Sequence, residues 1–272
     1  MVSHMKTPSH ARPLALAIGG SDSSGGAGIQ ADLKVWAVLG IHGASAITCI
    51  TAQSPGQVSA VMALTPAMVR EQLNAVARWA RPDVVKTGML YSTAIIETVA
   101  DWVAQTRPRA VVVDPVMVAA GGELLVKPRA VSAMAELLVP LATIFTPNLC
   151  EARWLLGNPR DTNPNLTRLA QQLFERLGRP VLLKGGHLAG DIIENVVYDG
   201  QRVVRMRTRR VRNVTNHGAG CMLASAVAGE LAYGQSVHAA VRRAVHMVRR
   251  AFHAPQRFGS MRLPDPLGRP RR

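Results

Sequence analysis

Aromatic residues make up only 4% of this 272-residue chain, lysine occurs only at Lys6, Lys34, Lys86, Lys127 and Lys184, and no apolar run is long enough to cross a bilayer. The first shortage, with no helix-turn-helix or zinc-finger spacing present, argues against a nucleic-acid-binding module and makes nucleic acid an unlikely partner. The missing run leaves no membrane-spanning segment. Cysteine is sparse as well. Cys49, Cys150 and Cys221 show no pairing pattern and no metal-ligand spacing, which excludes a disulfide scaffold or a zinc site and fits a reducing, cytoplasmic setting. Cys49 lies in an apolar strand-like run and reads as a small core residue. No signal segment opens the chain, and residues 1–11, beginning Met1-Val2-Ser3-His4-Met5, read as a tag-like N-terminus. The glycine-rich stretches lack the spacing of a P-loop, a dinucleotide fingerprint or a hydrolase elbow.

Two things are abundant. Hydrophobic residues reach 48%, in short Val, Ala, Leu and Ile runs broken by Gly and Pro, as a buried parallel sheet requires. Arginine supplies almost all of a formal charge of +15, concentrated at 202–212 and again from 242 to the end. This reads as a solvated surface that also attracts anionic nucleotides. Nothing marks a linker, so one large domain over 12–254 is expected, followed at 255–272 by an Arg/Pro-rich tail read as a mobile extension.

Apolar runs with polar exits alternate with helical periodicity along the chain. Strand-like runs at 14–18, 43–51, 83–85, 110–113, 143–145 and 180–183 are followed by Gly19-Gly20, Gln53, Lys86-Thr87-Gly88-Met89, Asp114-Pro115-Val116, Thr146-Pro147-Asn148 and Lys184-Gly185-Gly186-His187, and a further run lies at 58–64. Helices are expected from Ile29, from Pro66, and over 94–105, 128–138, 149–156, 166–177 and 223–232, with a last one from Ser236. A hairpin across Asp199-Gly200 closes the sheet's edge. This grammar predicts an α/β fold, a mostly parallel sheet with helices on both faces, and ligands outside the carboxyl ends of its strands.

The stretch Asn213 to Met222 is the chemical centre of the chain. Gly218-Ala219-Gly220 before a helix leaves backbone N–H groups free to bind an anion such as phosphate, and Cys221 falls in the first turn, where the helix dipole lowers a thiol's pKa. Phosphoryl transfer needs such donors together with cationic charge, Mg²⁺ and a proton acceptor. Lys184 can bind nucleotide phosphates, and Asp114, Asn148 and Glu151 can organise metal through water. Each also has a plain structural reading: Asp114 as a turn former before Pro115, Asn148 as a helix N-cap, and Glu151 as the far side of a capping box.

Taken in order, Gly20 to Lys34, Thr51-Ala52-Gln53, Val85 to Leu90, Asp114 to Met117, Thr146-Pro147-Asn148 with Glu151, Leu183 to His187 and His217 to Cys221 resemble the hydroxymethylpyrimidine/phosphomethylpyrimidine kinases of thiamine biosynthesis, in the ribokinase-like superfamily. The resemblance runs from about Leu14 to His253. It implies a ribokinase-like fold, ATP and Mg²⁺ as cofactors, a homodimer, and two successive phosphorylations, of 4-amino-5-hydroxymethyl-2-methylpyrimidine and then of its monophosphate. It places Gly20, Asp32, Gln53, Met89 and Val116 around the pyrimidine, with Gln53 reading the ring's polar edge. Lys184, Asn148 and Thr215 fall to the ATP phosphates, and Asp114 and Glu151 to the metal. Cys221 takes the position of the aspartate base of related sugar kinases, beside Gly218, Ala219 and Gly220. Two hydroxyls usual in the family are absent at Ala219 and Met222, which puts nucleotide contacts and the balance of the two steps in question. Two other readings are a pyridoxal or pyridoxine kinase of the same superfamily, and a catalytically weak, arginine-rich nucleotide- or nucleic-acid-binding protein.

Overall fold

The computed structural model describes residues 12–117, 126–160, 165–186 and 188–268; the tag-like residues 1–11, His187 and the last four residues of the tail lie outside them. The first strand, β1 (Leu14–Asp22), is buried along almost its whole length, because strands lie on both sides of it and helices cover both faces. It pairs in parallel with β2 (His42–Ser54) and with β4 (Val84–Thr87). The parallel order continues through β5 (Ala110–Val113), β6 (Ile144–Phe145) and β7 (Val181–Lys184). Antiparallel strands finish both edges: β3 (Gln57–Ala63) beside β2, and the hairpin β8 (Ile192–Tyr198) with β9 (Val203–Arg209) beside β7. The nine-stranded order is β3-β2-β1-β4-β5-β6-β7-β8-β9. The chain leaves β1 in one direction and returns on its other side at β4, so the β1/β4 junction is a topological switch point, where such sheets bind ligands.

Alternate residues of the parallel strands feed two cores. Leu16, Ile18, Val85, Val111, Val113 and Phe145 pack under α2 (Pro66–Trp79), α3 (Thr93–Thr106) and α6 (Leu166–Leu177), while Ala15, Ala17, Val84, Val112 and Ile144 face α1 (Gly28–Val38), α7 (Ala219–Ala232) and α8 (Val237–His253). Helix α7 is buried nearly all round, so its residues are small: a methyl on Gly229 would lie 2.5 Å from Leu39 Cδ1. Trp36 of α1 locks the pair by donating its indole N–H to the Ser225 carbonyl at 2.9 Å.

Four boundaries differ from expectation, each for a physical reason. Strand β1 runs through Gly19-Gly20 to Asp22, because parallel pairing with β2 continues past the glycines. Helix α7 begins at Ala219, four residues before Leu223, since Gly218 in the left-handed region (φ +76°) lets the chain turn directly into helix. The helix from Pro128 is regular to Ala133, widens to a π turn over Met134–Leu138 and tightens over Val139–Leu141, where Pro140 has no N–H to give. The stretch after Pro255, expected as a mobile extension, holds a hairpin, β10 (Gln256–Phe258) with β11 (Met261–Leu263), followed by a buried Asp265.

Candidate active site

At the switch point the site is built largely from backbone. Between Gly19 and Ser21 the register with β2 shifts so that Thr48 and Cys49 both oppose Gly20, a bulge that bends β2 over the end of β1. Gly20 is needed there: a Cβ would sit 2.9 Å from Cys49 Sγ and 3.8 Å from Met89 Cβ. Thr48 fixes the turn after β4 by donating its hydroxyl to the Met89 carbonyl at 2.6 Å. Gln53, near the end of β2, accepts the Thr51 hydroxyl on its Oε1 at 3.0 Å. Asp32, on α1, is enclosed. Its carboxylate takes both contacts of Lys86 Nζ (2.9 and 3.0 Å) and the Ser225 hydroxyl, and each partner in the ion pair is 1% exposed. Gly20 and Met89 therefore meet, with Gln53 at the mouth of the same strand pair, whereas Asp32 acts on the site through Lys86 and Ser225.

A cleft of about 700 Å³ opens beside this point, over the ends of β5, β6 and β7. Asp114, Val116, Asn148, Glu151, Lys184, Thr215, Gly218, Ala219, Gly220 and Cys221 all line it. Asp114 Oδ1 accepts Lys184 Nζ at 2.6 Å and the Thr146 hydroxyl at 3.1 Å. Asp114 Oδ2 is buried with no hydrogen-bond partner among the described residues, an arrangement that costs free energy unless a ligand satisfies it. Asn148 caps α5 (Leu149–Leu155) in a reciprocal box with Glu151: Glu151 N–H donates to Asn148 Oδ1 at 2.9 Å and Asn148 N–H to Glu151 Oε2 at 2.7 Å. The structural reading of this pair is realised, yet both residues still border the cleft. Burial pushes Glu151 up to about 8, against the pull of Lys184.

Cys221 is the third residue of α7. Burial pushes its thiol up, although Lys86 and the N–H of Gly28 pull the other way. The helix dipole expected to lower it is outweighed here by desolvation. Burial also opposes the charge on Lys86 and Lys184, but Asp32 and Asp114 respectively overcome it and hold both amines above their ordinary value. Met222 points into the core and is 3% exposed, so the hydroxyl missing there is not one taken from the cleft; Ala219 does face it.

The residues can hold a metal of one kind. Among the described residues no group of three or more His, Cys, Asp or Glu side chains forms a cage. The unpartnered Asp114 oxygen beside Glu151 instead fits an ion such as Mg²⁺, which keeps water and takes one or two carboxylates together with phosphate oxygens.

A model of the family described as phosphomethylpyrimidine kinase matches residues 22–265. The chain belongs to this family. It is 44% identical over 255 residues to a thiamine biosynthesis bifunctional protein of Geobacter sulfurreducens, covering 93% of this chain but half of that longer protein. It is also 44% identical to a hydroxymethylpyrimidine/phosphomethylpyrimidine kinase of Streptomyces coelicolor, over 91% of each chain. The pyridoxal kinase of Staphylococcus aureus, solved with ADP, superposes with a TM-score of 0.87 at 34% identity and 95% coverage of both chains. The ribokinase-like fold is thus the fold of this kinase family member, as its sequence motifs implied.

Several residues near the site were given no role or partner from the sequence. Lys86 stands in the buried run Val84-Val85-Lys86-Thr87, and a lysine there signals a buried carboxylate partner that the sequence alone does not name. Asp22 and His217, 195 positions apart, are hydrogen-bonded at 2.8 Å. Val214, Leu223, Val245, Val248 and Phe252 give the cleft an apolar wall suited to a nucleotide base.

Proposed function

We propose that this chain transfers the γ-phosphoryl group of Mg-ATP to the hydroxymethyl group of 4-amino-5-hydroxymethyl-2-methylpyrimidine, and then phosphorylates the resulting monophosphate. The observation that carries the reading is the position of Cys221. It lies in the first turn of α7 after Gly218, on the wall of the cleft that also holds Asp114 and Lys184, and its thiol accepts the N–H of Gly28 at the start of α1, the helix that carries Asp32. The pyrimidine ring lies at the switch point beside Gly20, Gln53 and Met89, with Val116 toward the cleft. ATP lies along the cleft, its phosphates toward Lys184, Thr215 and the N–H groups of Gly220 and Cys221, with Asn148 at the side; the Ala219 N–H, expected to be free, is given to the Asn216 carbonyl at 3.0 Å. Asp114 and Glu151 would hold Mg²⁺, which would neutralise phosphate charge.

The alcohol oxygen then attacks the γ-phosphorus as its bond to the β-phosphate oxygen breaks and ADP leaves. The alcohol proton passes to Cys221 Sγ. A loose phosphoryl-transfer transition state asks little of a base until late, so a thiol that is neutral at rest is compatible with the role. Lys86 and Lys184 favour the thiolate as the proton moves, while Asp32 and Asp114 oppose it. Asp32 serves by keeping Lys86 charged and placed. A homodimer and a cytoplasmic setting complete the reading, by likeness to the family.

The test is ADP release with Mg-ATP, comparing the pyrimidine alcohol with pyridoxal and weighing the products by mass spectrometry. Successive monophosphate and diphosphate of the pyrimidine support the proposal. Pyridoxal phosphate alone would favour the second reading, which the likeness to the S. aureus pyridoxal kinase keeps in view.

A further inference from the structure

The loop after β1 and the loop before α7 touch through their backbones. A Cβ on Gly218 would lie 1.8 Å from the Gly26 carbonyl oxygen, and one on Gly26 would lie 2.5 Å from His217 Cδ2. One loop follows the strand that carries Gly20; the other leads into the first turn of α7 at Gly218–Cys221. Where they meet, His217 Nε2 bonds to Asp22 Oδ2 at 2.8 Å and lies 3.3 Å from the Ser24 hydroxyl. The side chains of the pair are 11% and 2% exposed, a setting in which a hydrogen bond to a carboxylate is strong. Asp22 is held below the usual carboxylate range: burial opposes this, but the His217 contact and N–H groups of Ser24 and Ala27 outweigh it.

The neighbouring bonds show what each loop owns. Asp22 accepts the N–H groups of Ser24 and Ala27, each at 2.8 Å, and the Ser24 hydroxyl at 3.0 Å, so the first loop is shaped by its own carboxylate. The second loop is shaped by the His217 N–H to Thr215 Oγ1 at 3.2 Å and the Met222 N–H to the Gly218 carbonyl at 2.8 Å. It is braced from outside by β11, whose Arg262 carbonyl accepts the Thr215 N–H at 2.9 Å. The imidazole joins the two where Gly26 meets Gly218; a second link, from the Gly28 N–H to the Cys221 thiol, lies at the start of the two helices.

We propose that His217 is a positioning residue that couples the two ligand sites: its bond to Asp22 ties the loop beside the alcohol pocket to the phosphate-binding loop, so that ordering either loop by its ligand prepares the other. The inference rests on the reading of the pocket and the cleft as alcohol and nucleotide sites. Ligands that each order a shared element bind with positive cooperativity, because the second no longer bears the ordering cost. Removing the imidazole leaves the Asp22 bonds to Ser24 and Ala27 and the Thr215 bond to Arg262 in place, so each loop keeps its own supports.

The experiment is calorimetric titration of ADP into the full chain, with and without saturating 4-amino-5-hydroxymethyl-2-methylpyrimidine, for the wild type, His217→Ala and His217→Gln. Gln keeps an N–H near the position of Nε2. The wild type is expected to bind ADP about fivefold or more tightly when the pyrimidine is present. His217→Ala should bind each ligand alone within about threefold of wild type and lose the enhancement, and His217→Gln should recover part of it. Coupling retained within twofold in His217→Ala, or absent from a wild type that binds both ligands, overturns the proposal. A wild type that binds ADP but not the pyrimidine overturns the reading of the alcohol pocket, and the proposal with it. Should His217→Ala not fold, His217→Gln and Asp22→Asn decide: unchanged coupling in both defeats the idea.

Discussion

Two buried lysine–aspartate pairs act electrostatically on Cys221, and they differ in one respect. Lys86 and Asp32 are sealed, each 1% exposed, and Ser225 takes a further place on the carboxylate. Lys184 and Asp114 are almost as buried, but one Asp114 oxygen is unpartnered among the described residues and both side chains border the cleft. A buried ion pair costs much of its attraction in desolvation and contributes little net stability, whereas losing one member leaves an uncompensated charge. The closed pair therefore maintains a fixed field under the first turn of α7. The open pair keeps bonding capacity for a ligand. The same two residue types make a closed pair in one place and an open one in the other, and the difference lies in what remains unsatisfied.

Breaking each pair from the lysine side separates these roles most strongly. Lys86→Met is expected to lower unfolding free energy by about 3–5 kcal/mol, seen as a fall in the urea midpoint. Lys184→Met should have a smaller effect on that midpoint but reduce kcat on the order of 10²-fold, as loss of a placed charge at a developing anion does. Equal stability losses with equal activity losses would erase the distinction. Cys221→Ala comes next: turnover should fall on the order of 10²-fold, the lower end for removing a proton acceptor, with the urea midpoint nearly unchanged. Near-normal turnover would take Cys221 out of proton transfer and leave the two lysines without a group to tune.

The smallest effect is a pH dependence on the open side. Glu151 sits at about 8 in the folded chain against an ordinary 4.5. Between those values the folded state binds more protons than the unfolded one, so stability falls as pH rises through that window. Ligand-free urea midpoints at pH 5.5 and 7.5 should show this decline, and Glu151→Gln should flatten it. A decline of equal slope in the variant would place its origin elsewhere.

Much of this was legible from local pattern. Val111-Val112-Val113 before Asp114 and Val181-Leu182-Leu183 before Lys184 read as strands with polar exits because a doubly covered parallel strand has no exposed face to alternate with. Asn148 and Glu151 were readable both as a capping box and as cleft residues, and the fold makes them both. Other features were not legible. The glycines at 19 and 20 looked like the end of a strand, but pairing with β2 carries the strand two residues further. Cys221 looked activated by its place in a first turn, and burial reversed that. The residues after Pro255 looked like a mobile extension, yet they hold the loop before α7 through the Arg262 carbonyl.

By itself the sequence determined the succession of strands and helices, the side of the sheet on which polar residues gather, and the family to which the chain belongs. These follow from neighbouring residues: periodicity, capping and chain reversal act over a few positions. Only the tertiary structure decided that Lys86 faces Asp32 across 54 positions, Lys184 faces Asp114 across 70, and His217 faces Asp22 across 195. A charge has no local preference for its partner. Which opposite charge it meets, and whether an oxygen is left over for a ligand, is settled when the helices close over the sheet and water leaves.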